Sequence, residues 1–284
     1  MVLNKKKSSD APIGVFDSGL GGLTVVRELR RELPHEKVIY FGDIARLPYG
    51  IKSKKQIREF SIENTEFLLK RNVKAVVVAC NSSSSAAFSF LKTRYSLPII
   101  DVIGPAALRA TEVTKNRKVG VIATQATAAS RAYERAITKV DKKIRVFSKA
   151  CPLLVPFVEE GILEGPLVHM VLTRYLKPLL VHKIDTLILG CTHYPMLRRA
   201  IQKVVGPKIQ LIDSAPAAVR ELKQILAESN ETRKKSGTGA LQVFVSDSPA
   251  NFLTIGTRFL GEPLNDVKVV RFKAQVTVNG KWTL

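Results

Sequence analysis

The chain has 284 residues, of which 45% are hydrophobic, and its 45 Lys and Arg against 24 Asp and Glu give a formal net charge of +21. This length and apolar content suffice for a buried core and argue against a disordered chain. The longest apolar runs are far shorter than the roughly 18 residues of a membrane span, which argues against a membrane protein. The charged N-terminus has no apolar segment behind it, so we expect no secretion and a cytoplasmic location.

Cysteine usage and the spread of charge limit the function classes further. The three cysteines, Cys80, Cys151 and Cys191, are odd in number and lack CxxC spacing, which predicts reduced thiols and argues against a disulfide framework or a structural zinc site. The basic residues are spread thinly, and none of their clusters lies in a recognisable nucleic-acid reader. The charge therefore favours a solvated basic surface, with contact to nucleic acid as the alternative.

Short β-branched runs alternate with longer amphipathic stretches along the whole chain. The predicted strands lie, in order, in PIGVFDS, KVIYFGD, VKAVVVACN, LPIIDVIG, KVGVIATQ, KIRVFSKA, IDTLILGCT and KIQLIDSA. Apolar residues recur every three or four positions between them, which predicts helices that include residues 23–32, 55–70, 128–138, 165–180 and 216–229. This alternation predicts an α/β fold with parallel sheets flanked by helices.

The chain also repeats itself. Cys80 precedes Asp101 by 21 residues (101 − 80), and Cys191 precedes Asp213 by 22 (213 − 191), with a predicted helix between each pair. The pattern predicts two pseudo-symmetric domains, although any two βα units look alike. Ligands of parallel sheets bind at the carboxyl ends of the strands. Two such domains that face each other across a central cleft would place Cys80 and Cys191 on its opposite sides.

Two glycine-containing turns follow predicted strands. DSGLGGLTV, residues 17–25, matches neither GxGxxG nor a P-loop, so a nucleotide site is not expected. Its tight turn would let Asp17 and Ser18 project into the cleft, while the alternative is that Asp17 caps the next helix. The Pro-Tyr-Gly turn after Asp43 offers a backbone and the Tyr49 hydroxyl to a small polar ligand, but by itself it indicates only a loop.

The cysteines divide into two kinds by their surroundings. Cys80 and Cys191 each end a predicted strand and precede a helix start, a position that lowers the pKa of a thiol and binds anions. One such cysteine is more often an inert core residue, but two in matching contexts favour chemistry. Cys151 has no polar neighbour and is interpreted as structural. Glu159 either reaches the cleft or is an exposed carboxylate at a helix start.

Taken together, GVFDSGLGGLTV, PYG, ACN with a following hydroxyl residue, CPLLVPFVE, GCTHYP and VSDSPANFLTIGTRFLG resemble the glutamate racemase family, in order and from about residue 13 to 272. The resemblance implies interconversion of L- and D-glutamate without a cofactor or metal, supplying D-glutamate for peptidoglycan synthesis. It implies that Cys80 and Cys191 exchange the protons, helped by Asp17, Glu159 and His193. It implies substrate contacts from Asp17, Ser18, Tyr49, Gly50, Asn81, Ser82, Thr192 and His193.

The resemblance also implies a domain layout. Residues 1–104 plus 214–284 would form the first domain, with a basic N-terminal tail, and residues 105–213 the second. The ending QVTVNGKWTL, with Asn279-Gly280, predicts a small hairpin beyond the resemblance. In one departure from the family, Ser82 and three further serines stand where Thr-Ala-Ser-Ala is usual.

Two other function classes stay open at this point, and we also expect a homodimer. A racemase of aspartate or a related amino acid would share both cysteines but have a different side-chain pocket. An inactive paralogue, recruited to DNA or gyrase by its charge, would tolerate the loss of either cysteine. The presence of Cys80 and Cys191 favours an active enzyme.

Overall fold

The computed structural model describes residues 8–247 and 252–271. The strands in these ranges are β1 (Ile13–Asp17), β2 (Val38–Gly42), β3 (Ala75–Val78), β4 (Ile99–Asp101), β5 (Lys118–Ala123), β6 (Arg145–Ala150), β7 (Thr186–Gly190), β8 (Gln210–Asp213), β9 (Leu241–Val245) and β10 (Val267–Val269). The helices are α1 (Leu23–Glu32), α2 (Lys54–Leu69), α3 (Asn81–Arg94), α4 (Gly104–Val113), α5 (Gln125–Ser130), α6 (Ala132–Val140), α7 (Leu154–Glu159), α8 (Pro166–Leu180), α9 (Arg198–Val205), α10 (Ser214–Glu228) and α11 (Phe252–Leu260).

The strands form two parallel sheets. The first has six strands in the order β10-β9-β2-β1-β3-β4, and the second has four in the order β6-β5-β7-β8. Every residue of β1, β2, β3 and β7 is buried. Helices cover both faces of a parallel sheet, so its inner strands become continuous apolar runs, which is why these segments were recognisable in the sequence.

The register of the strands demonstrates the internal symmetry. In the first sheet Ile13 pairs with Ala75, and in the second Val119 pairs with Thr186, offsets of 106 (119 − 13) and 111 (186 − 75). The offset of 111 also carries Val76 in β3, which pairs with Ile99, onto Leu187, which pairs with Leu211. The predicted fold class of two pseudo-symmetric α/β units is confirmed.

Apolar residues of both sheets belong to one continuous core. This core includes Val15 of β1 and Leu189 of β7, together with residues of α1, α8 and α10. The opposite faces have separate clusters: Phe16 lies in the cluster under α2 and α3, and Val121 in the cluster under α4 and α6. The shared core holds the carboxyl ends of the two sheets close together.

The chain passes between the sheets twice, from β4 into α4 and from β8 into α10. Strands β1 to β4, β9 and β10 form the first sheet, whereas β5 to β8 form the second. We propose the domain boundaries expected from the sequence, with residues 1–104 plus 214–284 as one domain and 105–213 as the other. The predicted C-terminal hairpin and the Lys-rich start of the chain lie outside the described residues.

Some elements differ from the prediction. The single helix predicted over 128–138 is two helices, because Arg131 adopts a left-handed conformation (φ 52°) between α5 and α6. Strands β9 and β10 and helix α11 were not among the predicted elements. Among the described residues, we find no helix whose length and hydropathy suit a membrane span.

Candidate active site

A cavity of about 200 Å³ lies where the carboxyl ends of the two sheets meet. The residues that directly follow β1, β5 and β7, and the second residue after β3, all contribute to its wall. Its lining consists of Ser18, Leu47, Pro48, Tyr49, Gly50, Ile51, Cys80, Asn81, Ser82, Thr124, Gln125, Cys151, Pro152, Val155, Pro156, Glu159, Cys191, Thr192 and His193. The structure therefore brings Cys80 and Cys191 to one cavity, together with most of the residues expected from the sequence.

Cys80 lies between β3 and the first turn of α3 and is almost fully buried. Its thiol donates a hydrogen bond to Oγ of Ser18 at 3.6 Å. Burial, and next the nearby carboxyl of Asp17, raise the pKa of the Cys80 thiol to about 11. The expectation that the helix start would lower this pKa is wrong, because the cost of a buried thiolate outweighs the hydrogen bonds that stabilise it.

Asp17 lies behind Ser18 and does not line the cavity. Its carboxylate accepts a hydrogen bond from the Gly19 backbone N–H at 3.0 Å, and its second oxygen has no partner among the described residues. Burial raises the pKa of Asp17, and the positive charge of His193 opposes this effect. Helix α1 begins after Gly22 without a side-chain cap, so Asp17 orders the turn and not the helix end.

Cys191 begins a chain of three side chains. Its Sγ atom lies 3.9 Å from Nδ1 of His193, and the Nε2 atom of His193 lies 3.1 Å from a carboxylate oxygen of Glu159. Burial by itself lowers the pKa of His193, but the hydrogen bonds to Cys191 and Glu159 raise it to about 10. Both partners therefore favour the charged form of the His193 imidazole.

Two glycines let the loops of the two halves approach each other. A Cβ atom at Gly21 would clash with the Thr192 hydroxyl and would lie 2.6 Å from Nδ1 of His193. A Cβ atom at Gly50 would lie 2.8 Å from Cβ of Thr124. The glycine turns predicted from the sequence thus serve a close approach between the halves, since no larger residue fits at Gly21.

Hydroxyl and amide groups occupy the start of α3. The hydroxyl of Ser82 lies 3.0 Å from that of Thr124 and 3.4 Å from that of Thr127, in the other half of the chain. The side-chain amide of Asn81 donates to the hydroxyl of Tyr133 at 2.8 Å. Polar side chains from both halves thus meet beside the Cys80 thiol.

Tyr49 and Gly50 follow a Pro48 whose peptide bond is cis. The Tyr49 hydroxyl donates to the carboxylate of Asp43 and accepts from the Asn64 amide at 3.2 Å. Neither partner lines the cavity, so the hydroxyl is engaged away from it. Tyr49 and Gly50 can therefore bind a ligand through their backbone groups.

Comparisons with known proteins show the family to which this chain belongs. The model of the Asp/Glu/Hydantoin racemase family matches residues 13–222. The chain belongs to this family. A glutamate racemase of Geobacter metallireducens is 44% identical over 93% of this chain and 97% of its own length.

Solved racemase structures have the same fold. The glutamate racemase of Francisella tularensis, in complex with D-glutamate, has a TM-score of 0.87 and 38% identity, covering 92% of this chain and 98% of that one. The glutamate racemase of Thermus thermophilus, in complex with beta-chloro-D-alanine, has a TM-score of 0.84 and 44% identity, covering 93% and 98%. The prediction of an amino-acid racemase is confirmed.

Sequence reasoning missed several residues of this racemase cavity. Thr124 follows β5 as Ser18 follows β1, and the offset of 106 relates them (124 − 18). The repeat was therefore the signal that identifies Thr124. Gln125, Leu47, Ile51 and the apolar wall formed by Pro152, Val155 and Pro156 carried no such signal.

Cys151, interpreted as structural, also lines the racemase cavity. It is fully buried, its thiol donates to the Lys149 carbonyl at 3.6 Å, and burial raises its pKa to about 12. The Lys149 carbonyl engages its proton, and the repeat relates Cys80 to Cys191 and not to Cys151, so Cys151 is not one of the paired thiols. Within the described ranges, no group of three or more His, Cys, Asp and Glu side chains has an arrangement suited to a metal ion.

Proposed function

We propose that this racemase interconverts L- and D-glutamate by proton transfer between two thiols, Cys80 and Cys191, on opposite faces of the substrate. The observation that carries the proposal is that both thiols line one cavity from matching strand ends of two pseudo-equivalent halves. The choice of glutamate is supported by relatives that are named glutamate racemases, one of them solved with D-glutamate.

Inversion at an α-carbon needs one group to remove a proton and another to deliver one to the opposite face. In one direction the Cα–H bond breaks and an S–H bond forms on the thiolate of one cysteine. The thiol of the other cysteine then gives its proton to the carbanion from the far side. Each cysteine carries a single proton and acts in either form, as the reversible reaction requires.

The two thiols have different helpers in this proposal. His193, held by Glu159, stabilises the thiolate of Cys191 and moves with it between charge states. Ser18 accepts the hydrogen bond of the Cys80 thiol, while the buried Asp17 affects Cys80 from behind without touching the cavity. We therefore assign Asp17 a positioning and electrostatic role, and Glu159 the same role on the other side.

The remaining polar groups suit an amino acid. Charge on the carbanion spreads into its carboxylate, and donors at Ser82, Thr124 and Thr192 stabilise it. Asn81 lines the cavity, and its side-chain oxygen is buried and has no partner among the described residues. An α-ammonium group supplies the missing donor. The D-glutamate formed would serve peptidoglycan synthesis.

Hydrogen isotopes test the two-thiol mechanism. The reaction is run in heavy water and stopped early. The product enantiomer should then carry solvent deuterium at the α-carbon, while the remaining substrate keeps its protium. A thiol that has just taken the α-proton returns that same proton, whereas the opposite thiol has already exchanged with solvent. Mass spectrometry after chiral separation, started from each enantiomer, measures both.

Two results would contradict the proposal. Protium from the substrate found in the product would indicate a single base. Deuterium that enters the remaining substrate faster than racemisation proceeds would show that the first base exchanges its proton with solvent, and so is not a thiol that holds a single proton. L-aspartate serves as the second substrate, since faster racemisation of aspartate would favour the alternative specificity.

The homodimer, the cytoplasmic location and the contact with DNA or gyrase stay predictions.

A further inference from the structure

Tyr133 of α6 lies between the two strand ends that carry the thiols. A Cβ atom at Gly190, the residue before Cys191, would lie 2.9 Å from the Tyr133 ring, so the ring rests against this backbone. The Tyr133 hydroxyl contacts Asn81, the residue after Cys80, at 2.8 Å. The ring is almost completely buried, and its packing fixes where the hydroxyl sits.

The hydrogen bonds around Tyr133 run in one direction. The Ser214 hydroxyl donates to the Leu189 carbonyl at 3.4 Å, and the Tyr133 hydroxyl lies 3.0 Å from the Ser214 oxygen. With the Ser214 proton engaged, Tyr133 donates to Ser214 and its own oxygen accepts from Asn81. The Asn81 nitrogen also lies 3.5 Å from the Ser214 oxygen. Both acceptors therefore face the NH₂ group of the amide.

This arrangement determines which end of the Asn81 amide remains without a hydrogen-bond partner. Its oxygen is buried, has no partner among the described residues, and belongs to a residue that lines the cavity. The two orientations of an amide have nearly the same shape, so only hydrogen bonding selects between them. The reversed orientation would present an NH₂ group to the substrate ammonium, which has no acceptor to offer it.

We propose that Tyr133 is a positioning residue that holds the Asn81 amide with its oxygen towards the substrate ammonium. The proposal rests on the proposed function for the identity of the substrate. Tyr133 itself does not line the cavity and takes no part in proton transfer. Its effect passes through Asn81, so removal of its hydroxyl should weaken substrate binding more than it slows proton transfer.

The test is a double-mutant cycle in the full chain, with KM and kcat measured from both enantiomers of glutamate. Tyr133→Phe keeps the ring and should raise KM about tenfold with a smaller change in kcat. In the Asn81→Ala background the same substitution should change KM less than about twofold. Tyr175→Phe is the control, since Tyr175 is a buried tyrosine of the same half that lies outside the cavity lining.

A KM effect of Tyr133→Phe that is equally large without the Asn81 side chain would overturn the proposal, as would a fall in kcat with KM unchanged.

A second measurement does not depend on enzyme turnover. In ¹⁵N–¹H spectra, the Asn81 side-chain amide is identified by its loss in Asn81→Ala. Tyr133→Phe should shift this signal and Tyr175→Phe should not. If the signal does not move in Tyr133→Phe, the inference is overturned, even when the wild-type chain racemises glutamate as proposed. If the wild-type chain racemises neither glutamate nor aspartate, the proposed function itself is contradicted.

Discussion

The Glu159 carboxylate lies 3.1 Å from Nε2 of His193, whose other ring nitrogen faces the Cys191 thiol at 3.9 Å. Within the described part of the chain, Cys80 has no such pair: its thiol donates a hydrogen bond to the neutral hydroxyl of Ser18. The pseudo-symmetric halves thus give the two thiols different electrostatic surroundings. Cys191 faces the His193 imidazole, whose charged form is favoured, and Cys80 lies near the buried carboxyl of Asp17. The fall of activity at high pH should therefore depend mainly on the Cys191 side.

We expect Glu159→Gln to shift the alkaline limb of the pH–activity profile to lower pH. The hydrogen bond to Glu159 helps to raise the pKa of His193 to about 10, so an uncharged partner brings this pKa back towards its ordinary value. The imidazolium is then lost at lower pH. Profiles of kcat/KM between pH 6 and 11 measure the shift.

Glu160→Gln is the matched control for this profile. Glu160 is the next residue in the chain, is exposed, and has no hydrogen bond to His193. The same profile for Glu159→Gln and wild type would mean that His193 does not govern the alkaline limb.

We expect Cys80→Ala and Cys191→Ala each to lower kcat by at least about a thousandfold, since each removes one of the two acid–base groups. Cys151→Ala should keep most of the activity, although Cys151 also lines the cavity, because its thiol donates to the Lys149 carbonyl and the repeat pairs Cys80 with Cys191 alone. Thermal unfolding of all three variants checks that they fold. A Cys151 variant as inactive as the other two would show that the proton-transfer groups are misassigned.

We expect Asp101→Asn to stabilise the chain relative to wild type more at pH 7 than at pH 4. Burial raises the pKa of Asp101 to about 6, against its ordinary 3.8, although backbone N–H groups of Gly104 and Ile103 oppose the shift. The folded state holds this proton more tightly than the unfolded state, so wild-type stability falls as the pH rises from about 4 to about 6. The asparagine does not titrate, and two pKa units correspond to about 3 kcal/mol.

Urea unfolding of both proteins at the two pH values measures this difference. Asp266→Asn is the control, because its side chain is 75% exposed. A stability difference between Asp101→Asn and wild type that is the same at pH 4 and pH 7 would mean that Asp101 ionises normally in the folded chain.

The positions of the thiols could be predicted from the sequence because two simple patterns determine them. Buried parallel strands read as apolar runs, and the repeat relates their ends, so Cys80 and Cys191 could be placed at one cleft without a structure. The same repeat relates Ser18 to Thr124. Strands β9 and β10 have no counterpart in the second half, so the repeat gave no indication of them.

The electrostatics of the site could not be predicted in the same way. The pKa of Cys80 depends on its burial, and segments distant in sequence, such as 47–51 and 152–156, contribute residues to the same cavity. Tyr133 lies in a helical stretch without a polar motif, and it reaches Asn81 only because the chain breaks at Arg131 and α6 packs against the end of β7. Burial and contacts between distant segments are absent from local sequence patterns.

The pairing of β2 with β9 also affects synthesis on the ribosome. Val38 pairs with Leu241, so one edge of β2 finds its neighbour only after the whole second half has been translated. Strands β5 to β8, by contrast, lie within residues 118–213 without interruption. The second sheet can therefore finish while the first still has an open edge with unpaired N–H and C=O groups. Nascent chains of this racemase are exposed to edge-to-edge association until their last segments emerge.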